Sequence, residues 1–321
     1  MKIESNCFNK MIHLLAMGIL CLVAQGAGAV DWEAVEGKDV VLFHPGQASW
    51  EWALVPSTHS AAKKFRGGKN CADCHEGEQA EIGALIASGE KLEPSPVEGA
   101  EGSTTVNVKV ARDDENLYVR FQWKNSTAPQ RPPMDPDHEA MVTMMIGDEN
   151  VKEAVRAGCW GTCHSDLPLM MSASDATEGM TKYLGASRIK MSREGGGLDM
   201  KPDGALQELM AKGEFMEYWQ AKLNQGAVVG VVDGYILDKR HKNHAPMVSA
   251  QSEFTDGSWV VQLSRKLKTG GGAHKDFEAG KTYIVGFAIH GGYTEGRFHH
   301  VSLEYTLSLD EGDASFVARK Q

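Results

Sequence analysis

Apolar and polar residues alternate along several stretches of the chain, a pattern typical of half-buried β-strands. Every second residue is valine in 106–110, and every second residue is apolar in 117–123. The polar residues 113–116 between these stretches predict a turn and therefore a β-hairpin with one buried face. Further strands are predicted at Met141–Ile146, Ala227–Leu237, Trp259–Leu263, Thr282–Ile289 and His299–Leu307, and Trp50 and Trp52 are predicted to share one face of an earlier strand.

Helical spacing occurs in three short stretches. Ile82, Leu85 and Ile86 follow a 3.6-residue period, and Gly89 is placed to end that helix. Asn150 with Glu153 resembles an N-cap that starts a helix leading to Cys159. The third stretch contains Leu206, Leu209 and Met210. Many short strands with Gly-rich turns and few helices predict a mainly β fold, an antiparallel β-sandwich with short helical insertions that carry the cysteine motifs.

The first 29 residues have the features of a secretory signal peptide. Lys2 and Lys10 precede an apolar stretch at 14–24, and the small residues 27–29 resemble a cleavage site. The alternative is a membrane anchor, but the apolar stretch is short for a bilayer span. We therefore expect an exported, periplasmic protein with residues 30–321 as a single domain, without a membrane span after cleavage.

Composition and charge narrow the classes of function. The chain has 33 Lys and Arg against 43 Asp and Glu, a net charge of −10. Loss of Lys2, Lys10 and Glu4 with the signal peptide leaves 31 basic and 42 acidic residues, a net charge of −11. An acidic chain is a poor binder of nucleic acid but suits a protein partner with a basic docking surface. The same charge predicts carboxylates around an exposed redox centre.

The mature chain has four cysteines, in two close pairs that each precede a histidine. Cys71, Cys74 and His75 form C-x-x-C-H, the attachment sequence of c-type haem. Two thiols add to the haem vinyl groups, and the next residue supplies a proximal imidazole for the iron. A zinc site would need two more ligands, and a redox C-x-x-C would not need the histidine.

The second pair is one residue longer. Cys159, Cys163 and His164 form C-x-x-x-C-H, in which Gly161 could accommodate the additional residue. A disulfide or a free dithiol is the alternative. The histidine directly after the second cysteine favours a second haem c, with His164 as its proximal ligand, and so predicts two covalent haems.

Several motifs together resemble one family. They are Phe43–Gln47 with Trp50–Trp52, Cys71–His75, Leu117–Trp123, Cys159–Leu167, Thr181–Leu184, Phe287–His290 and His299–Ser302. The pattern is similar to exported dihaem c-type cytochromes of the ethylbenzene-dehydrogenase-related haem-binding family. That family also includes the haem b subunit of molybdenum dehydrogenases related to dimethyl sulfoxide reductase. The resemblance implies a sandwich like a carbohydrate-binding module, with haem at its edge.

The resemblance also implies iron ligands in the haem b relatives, which use a Met and a Lys in a Trp-x-Trp-Lys context. Residues 219–222 are similar but lack the second Trp, and 159–164 occupy roughly the region of the Met ligand. The distal ligands are therefore considered from the histidines. For the first haem we favour His59 and then His44. For the second we favour His299 or His300, with His290 and Lys222 behind them, and bis-His iron overall.

Three classes of function remain. The first is a periplasmic dihaem cytochrome c that transfers single electrons between respiratory redox partners. The second is a haem electron-transfer subunit of a molybdenum oxidoreductase. The third is a haem enzyme acting on a small inorganic substrate. No nucleophile elbow, phosphate loop or zincin motif occurs, so the sequence favours an electron carrier without catalytic residues of its own.

Overall fold

The structure of the protein is a computed structural model that describes residues 30–46, 50–93, 96, 98–126, 135–158, 160–161, 184–189, 200–292, 299–310 and 312–321. The predicted signal peptide lies outside the described residues, as do Cys159, Cys163 and His164 of the second motif. Residues Asp31–Gln321 form one compact unit. No helix in the described ranges has the length and apolar character needed to cross a membrane.

The described residues form fourteen strands and six helices. The strands are β1 (Lys38–Phe43), β2 (Ser103–Arg112), β3 (Asn116–Lys124), β4 (Ala140–Gly147), β5 (Met216–Leu223), β6 (Gly230–Ile236), β7 (Arg240–Lys242), β8 (Ser249–Thr255), β9 (Ser258–Lys266), β10 (Thr282–Gly291), β11 (His300–Val301), β12 (Tyr305–Ser308), β13 (Phe316–Val317) and β14 (Arg319–Lys320). The helices are α1 (Trp50–Leu54), α2 (Ala62–Arg66), α3 (Ala72–His75), α4 (Gln79–Ala87), α5 (Lys152–Ala157) and α6 (Asp203–Ala211). The predicted mainly β, antiparallel fold with few helices is confirmed.

The strands form one continuous ladder that folds into two facing layers. Its order is β7-β6-β5-β4-β10-β11-β1-β2-β3-β9-β8, and the pairs along it are antiparallel. The short β11 joins the layer that ends in β10 to the layer that begins with β1. Side chains from both layers meet between them, as shown by the edge-on contact of Phe121 with Phe287 at 5.5 Å between ring centroids.

The outer face of the β5-β4-β10 layer supports a second apolar core. Strand side chains alternate between faces, so in β4 Met144 faces the central core while its neighbour Met145 belongs to the second core. Helices and loops cover this outer face with Trp50, Phe65 and Cys71, among others. Both faces of β4 are therefore buried, and the first cysteine motif is packed against the sheet through the second core.

The hairpin and most other strands are confirmed, but Trp50 and Trp52 are not in a strand. They belong to the short helix α1, in which Trp50 is buried in the second core and Trp52 is half-buried. Two tryptophans separated by one residue give too short a period to distinguish a strand from a helix. The following Ala53 and Leu54 do not continue the alternation.

The predicted strand His299–Leu307 is interrupted. β11 and β12 both pair with β10, but in different registers: Ala288↔Val301 and Ile289↔His300 against Val285↔Tyr305 and Ile284↔Thr306. Val301 and Tyr305 are four positions apart, whereas their partners Ala288 and Val285 are three apart. The extra residue is a β-bulge. At this point the Ser302 hydroxyl accepts the backbone N–H of Phe287 at 2.9 Å.

The predicted N-cap of α5 is also wrong. Val151 occupies the cap position without a side-chain cap bond, and the amide of Asn150 instead donates to Asp148. The Glu153 carboxylate accepts the backbone N–H of Gly185 at 2.8 Å. The helix ends at Ala157, two residues before Cys159. The helices at Gln79–Ala87 and Asp203–Ala211 are confirmed.

Candidate functional site

The C-x-x-C-H motif lies in a single helical turn. Cys71 precedes α3, and its carbonyl accepts the amides of Cys74 and His75 at 3.2 and 2.9 Å. The turn is held by Asp73, whose carboxylate accepts the amide of Asn70 at 3.1 Å. The thiol of Cys71 is buried and that of Cys74 is exposed, and both are free. Burial raises the pKa of the Cys71 thiol well above its ordinary value, with Glu304 adding to the effect.

A cavity of about 250 Å³ opens beside this turn. Its lining combines both cysteines, His75 and His59 with the apolar side chains of α4. The lining side chains also include Trp52, Phe65, Ile82, Leu85, Ile86, Leu92 and Trp160. The site is thus an apolar cleft with two thiols and two imidazoles, a donor set that suits a flat apolar cofactor with a metal centre.

His59 and His75 line the same cavity from different parts of the chain: His59 precedes α2, and His75 ends α3. Their ring centroids are 6.4 Å apart and the rings are tilted by 42°. The Nδ1 atom of His59 donates to the carbonyl of Ala53, and that of His75 donates to the carboxylate of Glu78, each at 3.0 Å. A hydrogen bond at Nδ1 leaves Nε2 as the free lone pair and fixes the ring, the usual outer support of a metal-ligating histidine.

The residues present fit a covalently attached haem. Imidazole–metal bonds are about 2 Å long, so two rings that share one metal on a common axis have centroids about 6 Å apart. The observed separation of 6.4 Å between His59 and His75 agrees with that spacing. Trp52 stacks on His59 at 5.2 Å with an angle of 29° between the planes, which further limits rotation of this imidazole.

Glu304 connects the motif turn to the bulged strand. Its Oε1 accepts the backbone N–H of Ala72 at 2.8 Å. Burial raises the pKa of this carboxyl to about 7, the Ala72 N–H acts in the opposite direction, and Asp73 and Glu76 raise the pKa further. Nothing in the sequence around residue 304 indicates this role, because the two bonded residues are 232 positions apart.

The residues that flank Cys159 lie against the first motif. The amide of Cys71 donates to the carbonyl of Arg156 at 2.8 Å, and Nε of Arg156 donates to the carbonyl of Lys69 at 2.9 Å. Gly158 has a φ of +53° and lies close to Glu304. A Cβ added to Gly158 would be 2.9 Å from the Cα of Glu304. Trp160 lines the cavity and contacts Phe43 edge-on at 5.0 Å. The described residues 156–158 and 160–161, which flank Cys159, are therefore close to the first motif.

The other candidate histidines lie elsewhere. His44 does not line the cavity, and its Nε2 contacts the buried carboxylate of Glu93 at 3.2 Å. His300 donates to the carbonyl of Glu101 at 2.8 Å, and its ring is 6.5 Å from that of His44. His290 and His299 are buried and stacked, with centroids 4.5 Å apart and an angle of 7°. Because β10, β11 and β1 are neighbours, these four histidines are grouped at one end of the three strands.

Lys222 is held by a carboxylate. Its ammonium group donates to Asp135 at 3.1 Å, and His138 contacts the other oxygen of Asp135 at 2.9 Å. Burial alone would raise the pKa of Asp135, but these two hydrogen bonds and the amide of Asp137 lower it to about 2. Lys222 is thus engaged in an ion pair in this structure.

The charged side chains at the cavity differ from those that the sequence predicts, namely carboxylates around an exposed redox centre. The ionised side chains that line it within the described residues are Lys64, Lys69 and Lys91, all of them exposed. Of these, Lys69 forms a surface pair with Asp73 at 3.5 Å. The acidic residues of α3 and α4 do not line the cavity. The mouth of the cleft is therefore basic, although the whole chain is acidic.

Comparison with known proteins gives consistent relatives. The family described as "Ethylbenzene dehydrogenase" matches residues 50–247 and 242–302. "Cytochrome c-552" of Stutzerimonas stutzeri is 35% identical over 303 residues, covering 93% of this chain and 93% of the relative. "Cytochrome c-551" of Rhodocyclus tenuis is 27% identical over 297 residues, covering 91% of this chain and 100% of the relative.

Two solved carbohydrate-binding proteins overlap with part of the fold. A family 9 carbohydrate-binding module of Caldicellulosiruptor kristjanssonii, in complex with cellotriose, gives a TM-score of 0.28 at 9% identity over 63% of this chain and 65% of that one. A putative carbohydrate-binding protein of Bacteroides uniformis gives 0.29 at 10% identity over 66% and 73%. Overlaps this low carry no argument about function. From the family match and its full-length relatives, the chain belongs to the ethylbenzene dehydrogenase family, together with the c-type cytochromes that it matches over nine-tenths of its length.

Proposed function

We propose that this protein is a periplasmic c-type cytochrome that transfers single electrons between respiratory redox partners. The observation that carries the proposal is the pair of imidazoles, His59 and His75, on one cavity that also contains the thiols of Cys71 and Cys74. When bound, the haem supplies a one-electron iron couple. The names of the full-length relatives support the same class of function.

The chain's own residues would do three things at this site. Cys71 and Cys74 would hold the haem covalently. His75 and His59 would ligate the haem iron, with Ala53 and Glu78 fixing the two rings. The cavity volume of about 250 Å³ is below the roughly 300–1,000 Å³ of pockets that enclose a drug-sized ligand. A haem held here would therefore keep an edge at the surface, as electron transfer to a protein partner requires.

A second haem at Cys159 and Cys163, with His164 as its proximal ligand, is part of the proposal. It is supported by the hydrogen bond of Cys71 to Arg156 and by the place of Trp160 in the lining of the cavity, since neighbouring haems favour a short relay. For its distal ligand we retain His299 or His300, with His290 behind them. The ion pair of Lys222 with Asp135 is a reason to rank Lys222 last.

Haem counting tests this proposal. The exported protein is purified, and its pyridine haemochrome is quantified against its intact mass. We expect two covalent haems in the mature chain, one in a Cys71→Ala/Cys74→Ala variant, and one in a Cys163→Ala variant if both thiols of that motif are needed. One haem in the wild type, still present in the Cys163→Ala variant, would remove the second site. An absence of haem would refute the whole proposal.

A haem electron-transfer subunit of a molybdenum oxidoreductase is the second candidate function, and the ethylbenzene dehydrogenase family match favours it. The two candidates differ in assembly. A subunit should copurify stoichiometrically with a molybdenum enzyme, whereas a carrier should be isolated alone and cycle reversibly at an electrode. The net charge of −10 suggests a partner with a basic docking surface, whereas the lysines at the cavity mouth suggest an acidic one. The salt dependence of electron transfer distinguishes the two.

A further inference from the structure

The carboxyl group of Glu304 binds the turn of the first cysteine motif, and one of its oxygens lacks a hydrogen-bond partner among the described residues. Its Oε1 accepts the N–H of Ala72, inside the first motif. Its Oε2 is buried and lacks a hydrogen bond of ordinary geometry within the part of the chain that the structure describes, although the backbone N–H of Glu304 itself also stabilises the charged carboxylate. A charged carboxylate oxygen that is shielded from water and lacks a donor costs free energy, whereas a protonated oxygen costs much less. The geometry itself therefore favours a proton at this atom.

The charges around Glu304 are of both signs. The titratable or charged groups that interact with it come from α3 and its neighbours, from α5 and from β12, and they are Cys71, Asp73, Glu76, Arg156 and Tyr305. Burial is the largest cause that raises the pKa of Glu304 to about 7, and Asp73 and Glu76 contribute in the same direction. Cys71 would be a neutral thioether once haem is attached, so it would not oppose ionisation.

We propose that Glu304 is a proton-binding group coupled to the electron on the haem held by Cys71 and Cys74, an inference that rests on the proposed function. Glu304 would take up one proton from solvent at Oε2 when a redox protein reduces a haem held there by one electron. When the electron leaves, Glu304 returns that proton. The charge at the site then stays constant, because each added electron is matched by one added proton.

The sign of this coupling follows from electrostatics. The oxidised iron centre has one more positive charge than the reduced centre, and a nearby positive charge stabilises a carboxylate. The pKa of Glu304 is therefore lower in the oxidised protein than in the reduced protein. Gly158, one residue before Cys159, packs on the backbone of Glu304.

Potentiometry of the holoprotein across pH tests the coupling. The midpoint potential of the first haem, followed optically, should fall as pH rises between about 6 and 8, because protonation accompanies reduction in that range. The limiting slope is about 59 mV per pH unit, the equivalent of a tenfold change for one electron. Glu304→Gln should lose this slope and retain its haem. The matched control is Glu81→Gln, which removes an exposed carboxylate of α4 and should keep the slope.

A direct spectroscopic measurement on the wild type avoids dependence on the folding of the variant. Redox-difference infrared spectroscopy near pH 7 should show a protonated carboxyl band that appears on reduction and is missing in Glu304→Gln. A pH-independent potential in a protein with its full haem content would overturn this inference and leave the proposed function intact. A slope that persists in Glu304→Gln would assign the proton to another group. Failure to find haem would instead refute the proposed function.

Discussion

The imidazole rings of His59 and His75 are 6.4 Å apart across the cavity, and each is held from behind by a hydrogen bond at Nδ1. His59 donates its hydrogen bond to the backbone carbonyl of Ala53, and His75 donates its hydrogen bond to the carboxylate of Glu78. A carboxylate partner would strengthen the electron donation of His75 to a bound metal more than a neutral carbonyl would strengthen that of His59. The two imidazoles would therefore be unequal ligands of a haem at this site.

Substitution of His59 by alanine should convert the first haem from low-spin, six-coordinate to high-spin, five-coordinate iron. The reason is that no other described histidine lines the cavity on that side of His75. Optical and electron paramagnetic resonance spectra would measure the change, and added imidazole should reverse it. His44→Ala is the matched control and should leave the first haem unchanged, because His44 contacts Glu93 instead. An unchanged spectrum in His59→Ala would eliminate this ligand.

The lysines at the cavity mouth predict the sign of a salt effect. Oxidation of the reduced protein by anionic ferricyanide should slow as ionic strength rises, even though the net charge of −10 alone predicts the opposite. Charges on the protein surface are screened over about 10 Å at 0.1 M salt. The lysines at the cavity mouth therefore affect the reaction rate of a small reagent more than the distant charges do. Stopped-flow rates between about 10 mM and 1 M salt, which span most of this screening range, would show the sign.

A pair of triple variants separates local from net charge. Lys64→Gln/Lys69→Gln/Lys91→Gln should abolish or reverse the salt effect. Replacement of the exposed Lys212, Lys239 and Lys242 by glutamine changes the net charge equally but leaves the rim intact, and it should have little effect. Equal behaviour of the two triple variants would show that net charge controls the rate. Altered haem spectra in the rim variant would instead indicate that these lysines contact the haem carboxylates.

Acid should weaken the fold through Asp135. The folded-state pKa of about 2 lies below the ordinary value of 3.8, so ionisation of Asp135 stabilises the folded protein above about pH 4. That contribution is lost as pH falls from about 4 towards 2 and amounts to about 2 kcal/mol. Chemical denaturation should therefore show Asp135→Asn to be less stable than wild type by about this amount at pH 7, with the difference shrinking near pH 3. A constant difference across pH would contradict this assignment.

Gly83 is required for the close approach of α4 to the sheet. A Cβ at this position would lie 1.9 Å from the carbonyl oxygen of Gly102 and 3.0 Å from Cβ of Phe43. Gly83→Ala should therefore destabilise the fold by about 1–3 kcal/mol, the usual cost of overpacking. It should also loosen the cavity wall, to which α4 contributes Ile82, Leu85 and Ile86. The control is Gly204→Ala in α6, where a Cβ meets open space and should be neutral or slightly stabilising. Denaturant midpoints would compare the two variants.

The sequence predicts the parts of this molecule that depend on residues close together along the chain. The hairpin of β2 and β3 follows from alternation over many residues, and the C-x-x-C-H motif needs only consecutive positions. His59 is a candidate from the sequence because it lies only twelve residues before Cys71 and can fold back over the motif. Glu304 could not be predicted, since its bond to Ala72 joins residues 232 positions apart. The basic cavity mouth was missed for a related reason: net charge does not indicate which charges the fold brings to one place.

At Ser302 the pairing of the chain with β10 shifts by one residue between β11 and β12. Side chains before and after this point therefore alternate between the two faces of the sheet in opposite phase. In a regular strand, the removal of one residue turns every later side chain to the opposite face. Here one residue is already in excess, so a single deletion within 302–304 would restore one continuous register with β10. The carboxyl group now at position 304 would then be displaced by one pleat from Ala72. The length of this short segment, more than the identity of its residues, thus determines whether a carboxyl group from this strand reaches the cysteine motif.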